Sequence, residues 1–571
     1  MLLLHAANDA HSIYSHYLAE ILRLEGFADF QEADFADLDA AALQRQDLVI
    51  LPRMSTSAEQ AALLEAYVRQ GGRLLALLPD LYLVRRFGMT PKFHGIDNGW
   101  LHLNGSEPLV AGLCVDPVQI IVPTMTWQPV AETVAAVLAQ VRSRRQADAS
   151  EGYPAVIWCK VGEGEAILLG YDLAHAVARL RQGNPDHADL CFSELDGIYR
   201  PSELFVGQMD VEQMLVPQAD LHTALLARLI ESLAPRPRLW YYPQASQRSV
   251  VIMTSDDDWS TIEQFEALLA GLRQRQATCT FYVVPETKIN NALMTQWEAD
   301  GHTFSAHPAL EADLRSYLAT QEPQTRQIAA MLRNNVARHR RDFGRTARTI
   351  RQHAVRWLGY VEAAHKLAAL GVQMELNYIS VHPFSLGYMS GSGRPLRFVD
   401  IDGTLIDCYQ QPTLWTEEVL IHPSFVFSFK WTVERALQEV DKIIQRAAHD
   451  FYTPIIFNSH PVSFATYSSP LIEGCWDKAL AEGMAILSAD RWLDWTQARN
   501  QVQIEITESG CVVQTTVAMA EVTLLLPGHC TGIQATAATV EQQTRWGRQY
   551  QMVTLANLAA GEQRPLLYQL R

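Results

Sequence analysis

Short apolar runs alternate with amphipathic stretches through the first third of the chain. An apolar run covers 1–5, helical spacing follows over 12–25, and DLVILP at 47–52 reads as a buried strand. An amphipathic helix over 58–70 closes at Gly71-Gly72 and leads into RLLALL at 73–78. Short connections between such runs predict a doubly wound parallel sheet. Runs at 155–160 and 165–170 flank Gly162-Glu163-Gly164 as a hairpin. A connecting segment, 173–247, holds a turn at Gly183-Asn184-Pro185, a helix over 220–233 and the proline-rich exit APRPRLWYYP. A second alternating region, 248–495, has strand patterns at 250–254, 278–284, 302–306, 349–353, 372–376, 398–401 and 455–458. That many strand–helix steps predict a closed or partly closed (β/α) barrel. From 496 to 571 the pattern turns to period two, at 502–507, 512–517 and 521–526, and predicts a small β-rich unit. The expected class is therefore α/β, with a doubly wound N-terminal unit over 1–172, the barrel, and a β-rich C-terminal unit that serves as a packing module or binds carbohydrate.

Composition narrows the function. At 571 residues the chain is too long for one core, and 48% hydrophobic with 19% charged residues is an ordinary globular balance. A net charge of -17 repels nucleic-acid phosphates. The basic run at 333–348 reads as a solvated helix face and loop. Eight cysteines form no CxxC pair, which argues against a Cys-ligated metal and for reduced, buried thiols. The opening MLLLHAANDAHS lacks a basic n-region and no run spans a bilayer, so the expectation is a cytoplasmic protein without a membrane partner.

Chemistry collects at strand ends. The strand VVIMTS runs into Asp256-Asp257-Asp258. Three like charges there call for a cation or shared protons, against the plainer reading of a helix N-cap. GHTFSAHPALE places His307 at a strand end with Glu311 four residues on, a spacing at which both reach one ion. Thr349-Ile350-Arg351-Gln352-His353 adds a cation and an imidazole, and the apolar run 454–457 ends in Asn458-Ser459-His460.

The order of these pieces resembles the NodB-homology polysaccharide deacetylases (carbohydrate esterase family four). Thr254-Ser255-Asp256-Asp257-Asp258 stands for their T-F-D-D-G, Gly301-His302-Thr303 for their G-H-E strand, and His307-Pro308-Ala309-Leu310-Glu311 for their H-[ST]-x-x-H. Glu311 replaces the second histidine, and the Pro and Gly of the R-x-P-[YF]-G motif are missing around Arg351. The resemblance implies a metal-dependent hydrolase removing acyl groups from a carbohydrate or sugar-linked small molecule. It implies a divalent metal, zinc first, on Asp257, His307 and Glu311, with His353 an extra ligand. Asp256 would be the base, held ionised by Arg351, and His460 the acid. The alternative is a degenerate relative that binds glycan or a protein partner without catalysis. Over 1–172 the order DLVILP, helix, QGGRLLALLPD resembles the class I glutamine amidotransferase-like fold. Leu77-Leu78-Pro79-Asp80 stands where active members carry a cysteine, so that unit is expected to be non-catalytic. One further string, Asp400-Ile401-Asp402-Gly403-Thr404-Leu405, resembles the first motif of haloacid-dehalogenase-type phosphatases. It implies a second alternative chemistry through Asp400 and Asp402, against the plainer reading of a turn.

Overall fold

The protein is described by a computed structural model covering all residues except 8, 114–115, 130–132, 192–197, 311–323, 381–385 and 571. It is a mixed α/β protein with several sheets. The N-terminal sheet has the order Gln31–Asp34, Leu2–His5, Val49–Leu51, Arg73–Leu77, Gly164–Leu169, Tyr153–Val161, Val134–Arg142, Gly99–Leu103, Val118–Ile120. Its first five strands are parallel, as the alternation predicts. The other half is antiparallel, beginning with the hairpin expected around Gly162-Glu163-Gly164, and departs from a doubly wound parallel sheet. The physical reason is the connection. Only the residues at 162 and 163 separate Tyr153–Val161 from Gly164–Leu169, and so short a loop joins only antiparallel strands. The turn after Arg73–Leu77 puts Leu78 at φ 46, in the left-handed region. Asp80 then caps the helix Leu81–Arg86 by accepting from the amides of Tyr82 and Leu83.

The segment 173–247 is not a loose tether. Its helix Gln218–Leu233 is buried along most of its length, in a core cluster that also holds residues of the first sheet and of the barrel. Its exit strand Arg238–Leu239 adds to a sheet of the C-terminal unit, pairing with Leu524 and Leu525. Gly26 (φ +91) makes this approach possible, because a Cβ there would lie 2.2 Å from the Leu239 carbonyl oxygen. The β-rich unit consists of two four-stranded antiparallel sheets with Ile504, Val513, Leu524, Val553 and Leu566 between them.

In the region 248–495, Val250–Asp256 is the central strand of one sheet, with Thr280–Val283 and Thr303–Ala306 on one side, Ile455–Ser459 and Trp415–Thr416 on the other, and Ala485–Ser488 also paired to it; Thr349–Ile350, Met374–Glu375, Leu405–Gln410 and Leu396–Val399 form a second sheet. Val250–Asp256 is buried at every position, as a central parallel strand with both faces covered should be. Strand ladders do not join the two sheets into a closed ring. Between Thr303–Ala306 and Thr349–Ile350 the Ser305 hydroxyl donates to the Thr349 carbonyl. At the opposite break a single bridge joins Ile379 to Thr413. Below, the Asp490 carboxylate accepts from the hydroxyls of Thr280, Thr303 and Thr349 at 3.1–3.2 Å, tying the first residues of three strands together. The strand expected at 398–401 is not a barrel stave. Leu396–Val399 pairs antiparallel with Leu405–Gln410 as a hairpin beside Met374–Glu375. Among the described residues, no helix is long and apolar enough to cross a membrane.

Candidate active site

The barrel's strand ends open into a cavity of about 410 Å³ lined by Asp256, Asp258, His307, Arg351, His353, Glu418 and His460, with Ile379, Val419, Phe425 and Phe427 forming an apolar wall. These residues arrive from several strands because a parallel barrel presents all its C-terminal ends on one face.

Asp256 ends its strand. Its carboxylate accepts from Arg351 Nη1 at 3.3 Å and from Asn458 Nδ2 at 2.9 Å. Arg351 is buried (1% exposed) and uses its guanidinium fully. It also donates to Thr254 Oγ1 at 2.8 Å, Thr413 Oγ1 at 2.7 Å, the Leu376 carbonyl at 3.2 Å, and Asn458 Oδ1. One cation thus fixes Asp256 and joins four strand ends.

The strand stops at Asp256, and the turn that follows separates the other two aspartates. Asp257 does not line the cavity. It is buried, accepts from the Ser260 amide at 3.1 Å, and burial pushes its carboxyl up to about 6. Asp258 and Trp259 sit at φ 42 and 59, and that left-handed turn presents Asp258 to the imidazoles. His307 Nε2 is 3.3 Å from Asp258 Oδ1, and His460 Nε2 is 3.7 Å from Oδ2. Burial would raise the Asp258 carboxyl, but His460, His307 and His353 together hold it below the ordinary carboxylate range. Asp258 occupies the position of the glycine in the T-F-D-D-G comparison, which suits its φ.

His307 Nδ1 donates to the Arg351 carbonyl at 2.8 Å, and Nε2 faces Asp258; burial opposes the imidazolium, but Asp256 and Asp258 hold His307 above its ordinary value. The His353 ring stands edge-on to Trp259 and His307, at 5.3 and 5.7 Å between centroids. His460 follows the strand Ile455–Ser459. Its Nε2 is 4.0 Å from Asp256, and its Nδ1 is 2.9 Å from Glu417, which also accepts from the His460 amide at 2.8 Å. Burial opposes the imidazolium, but Glu418, Glu417 and Asp258 hold His460 well above its ordinary value. Burial pushes Glu418 up to about 7, with His460 pulling the other way.

Asp256, His307, Arg351, His353 and His460 therefore share one pocket; Asp257 is not among its lining residues, and Glu311 lies outside the described residues. Sequence reasoning gave no role to Asp258, because the turn that aims it is not legible in the pattern, or to Glu417 and Glu418, whose signal was only a pair of acids after the short apolar stretch Leu414–Trp415. Asp400 and Asp402 line no part of this cavity. They flank a hairpin turn in which the Gly403 amide donates to the Asp400 carbonyl and Asp402 accepts from Thr404, and Asp400 pairs with His365 at 2.7 Å. Among the described residues, the one group of three metal-ligating side chains with donor atoms within 4.8 Å of one another is His5, His16 and Glu32, in the N-terminal sheet.

No family model and no curated protein matches the sequence. Among solved structures, a putative polysaccharide deacetylase from Mycobacterium smegmatis is similar at 12% identity over 48% of this chain and 97% of that one, with a TM-score of 0.35. A family 4 acetyl xylan esterase from Clostridium thermocellum, in complex with a cobalt ion, is similar at 15% identity over 43% and 91%, with a TM-score of 0.27. A β-galactosidase from Bacillus circulans sp. alkalophilus is similar at 17% identity over 28% of this chain and 24% of that one, with a TM-score of 0.22. At these scores the chemistry has to be judged from the side chains alone.

Proposed function

We propose that the barrel pocket is the active site of a metal-assisted hydrolase that removes an acyl group, by cleaving an amide or ester, from a carbohydrate or sugar-linked molecule. The observation carrying this reading is that a carboxylate pair, three imidazoles and a buried arginine from separate strand ends face one cavity. The substrate class comes from the motif resemblance.

The donor types suit a divalent ion, and because the donor atoms of Asp258, His307 and His353 do not all lie within 4.8 Å of one another, the three side chains would have to draw together around it. His307 has its Nδ1 proton engaged by a carbonyl, so an ion that displaced the Nε2 proton would find a lone pair beside Asp258, the arrangement of a metal-binding histidine. Asp258 Oδ1 is buried without a hydrogen-bond partner, as is Asp257 Oδ2, and of the two only Asp258 lines the cavity. Asp258, His307 and His353 would hold the ion, with Asp258 in the role the sequence assigned to Asp257. A mixed imidazole–carboxylate set suits zinc and its neighbours. When bound, such an ion polarises the scissile carbonyl and eases deprotonation of water.

The protein's own groups move the protons. Asp256, oriented by Arg351 and Asn458, takes the proton from the attacking water. His460, on the far side of Asp258 from His307, gives a proton to the departing nitrogen or oxygen. Glu417 fixes its tautomer and stabilises the imidazolium from Nδ1. The apolar wall of Phe425 and Phe427 excludes water from the acyl side.

The test compares two neighbouring aspartates. Protein purified without chelator is assayed for metal and for hydrolysis of acetylated amino-sugar oligomers. Asp258→Asn should lose the pocket's metal and the hydrolysis, and Asp257→Asn should keep the pocket's metal. Loss of metal in Asp257→Asn but not in Asp258→Asn would reverse the assignment, and wild-type protein without either property would overturn the reading.

A further inference from the structure

We propose that His5, His16 and Glu32 form a second metal site, in the N-terminal unit, which takes a zinc-class divalent ion. None of the three lines the barrel cavity, so this site stands apart from the proposed hydrolase chemistry.

The fold brings them together from three elements. Leu3 pairs with Glu32 in parallel register, so Glu32 and His5, two residues past Leu3, project from one face of the sheet. The helix Ser15–Leu24 covers that face, burying Tyr17, Leu18, Ile21 and Leu22 in the cluster that holds Leu3, and His16 is its second residue. His5 Nε2 lies 2.7 Å from Glu32 Oε2, and His16 Nδ1 lies 3.6 Å from the same oxygen. The two rings stack, with centroids 4.3 Å apart. Donor atoms around a tetrahedral zinc at ordinary bond lengths are about 3.3 Å apart. The observed separations straddle that spacing, so an ion enters by displacing the proton His5 shares with Glu32 and by shifts of a few tenths of an ångström.

Two further features fit an ion better than a plain ion pair. Arg23 Nη2 donates to the other carboxylate oxygen, Glu32 Oε1, at 3.0 Å. That contact orients Glu32 and leaves Oε2 for the histidines, as an outer-shell partner does for a metal-bound carboxylate. Burial differs across the group: the His5 side chain is 10% exposed and that of His16 63% exposed. The site therefore has a buried anchor and an open side where the ion enters and water completes the coordination. Two imidazoles and one carboxylate select zinc, cobalt or nickel over magnesium or calcium. An ion there would tie the sheet's edge strand, Gln31–Asp34, to the strand Leu2–His5 and to the helix above them.

The test uses the full chain, stripped with chelator and dialysed against zinc, with cobalt as the spectroscopic probe. His16 is exposed, so His16→Ala is expected to fold. It should bind one zinc fewer per chain than wild type and lose the part of the cobalt d–d spectrum that His307→Ala retains. Arg23→Ala keeps all three ligands and should weaken that ion about 10-fold. Unchanged zinc stoichiometry and affinity in His16→Ala would overturn the proposal. The pocket assignment is read separately, through Asp258 and His307, so failure of one leaves the other standing.

Discussion

Buried charge is concentrated around Glu25 and around Asp258, and the two clusters are satisfied in different ways. Glu25 is wholly buried where the N-terminal unit, the connecting segment and the barrel meet. Its carboxylate accepts from Thr223 at 2.6 Å, Arg394 at 2.8 Å, Arg238 at 3.2 Å and the Tyr241 hydroxyl. Arg238 is shared with Glu231, which also accepts from Tyr550 of the C-terminal unit. Burial works against the Arg238 cation, yet Glu231, Tyr241, Tyr550 and Glu25 hold it above its ordinary value. Nearby, Arg499 donates to the Arg23 and Leu24 carbonyls that end the helix Ser15–Leu24. Both Glu25 oxygens are engaged and neither faces an opening. Around Asp258, by contrast, carboxylates and imidazoles face one another across a cavity, and Asp258 Oδ1 and Glu417 Oε2 are buried without hydrogen-bond partners. A cluster with all its bonds made holds the structure; a cluster with bonds still to make is where a ligand adds something.

The largest expected effect falls on the rate. Asp256→Asn should lower turnover about 10²–10⁴-fold. It should also lower the thermal midpoint, because it leaves the buried Arg351 without its paired carboxylate, so the rate is read on the folded fraction. A variant that unfolds but retains its rate when folded would place Asp256 in the structural class. Glu25→Gln should act on stability alone. It leaves Arg238 and Arg394 without their shared anion, at a cost of about 3–5 kcal/mol in urea unfolding, while the folded fraction keeps its turnover. A loss under about 1 kcal/mol would show that the joint does not depend on this carboxylate.

A finer contrast concerns the acid. His460→Gln should slow amide substrates at least about 10-fold more than activated esters, whose leaving groups need no proton. Equal losses would make His460 a positioning group. The smallest effect is in pH dependence. Glu375 is buried, and burial pushes its carboxyl up to about 8, with Asn377, Arg351 and Arg181 opposing. A raised folded-state value means the native protein keeps a proton that the unfolded chain releases. Stability from this group is thus full below the unfolded value of 4.5 and falls as pH rises towards 8, by up to about 1.4 kcal/mol per pH unit. Glu375→Gln should flatten that slope in unfolding measured from pH 5 to 8. An unchanged slope would mean that Glu375 ionises freely.

Local pattern was enough for what depends on neighbours in the chain. Alternating apolar runs foretold strands and helices, and the ends of those runs located Asp256, His307, Arg351, His353 and His460. Only the tertiary structure decided matters that join distant segments. The left-handed turn at Asp258-Trp259 aims one carboxylate at histidines about 50 and 200 residues away. Glu417 reaches His460 only because the strand Trp415–Thr416 lies beside Ile455–Ser459. The His5–His16–Glu32 group exists only because a helix crosses two parallel strands. Register and packing between remote elements follow from the whole core finding its lowest free energy, which no single stretch of sequence encodes.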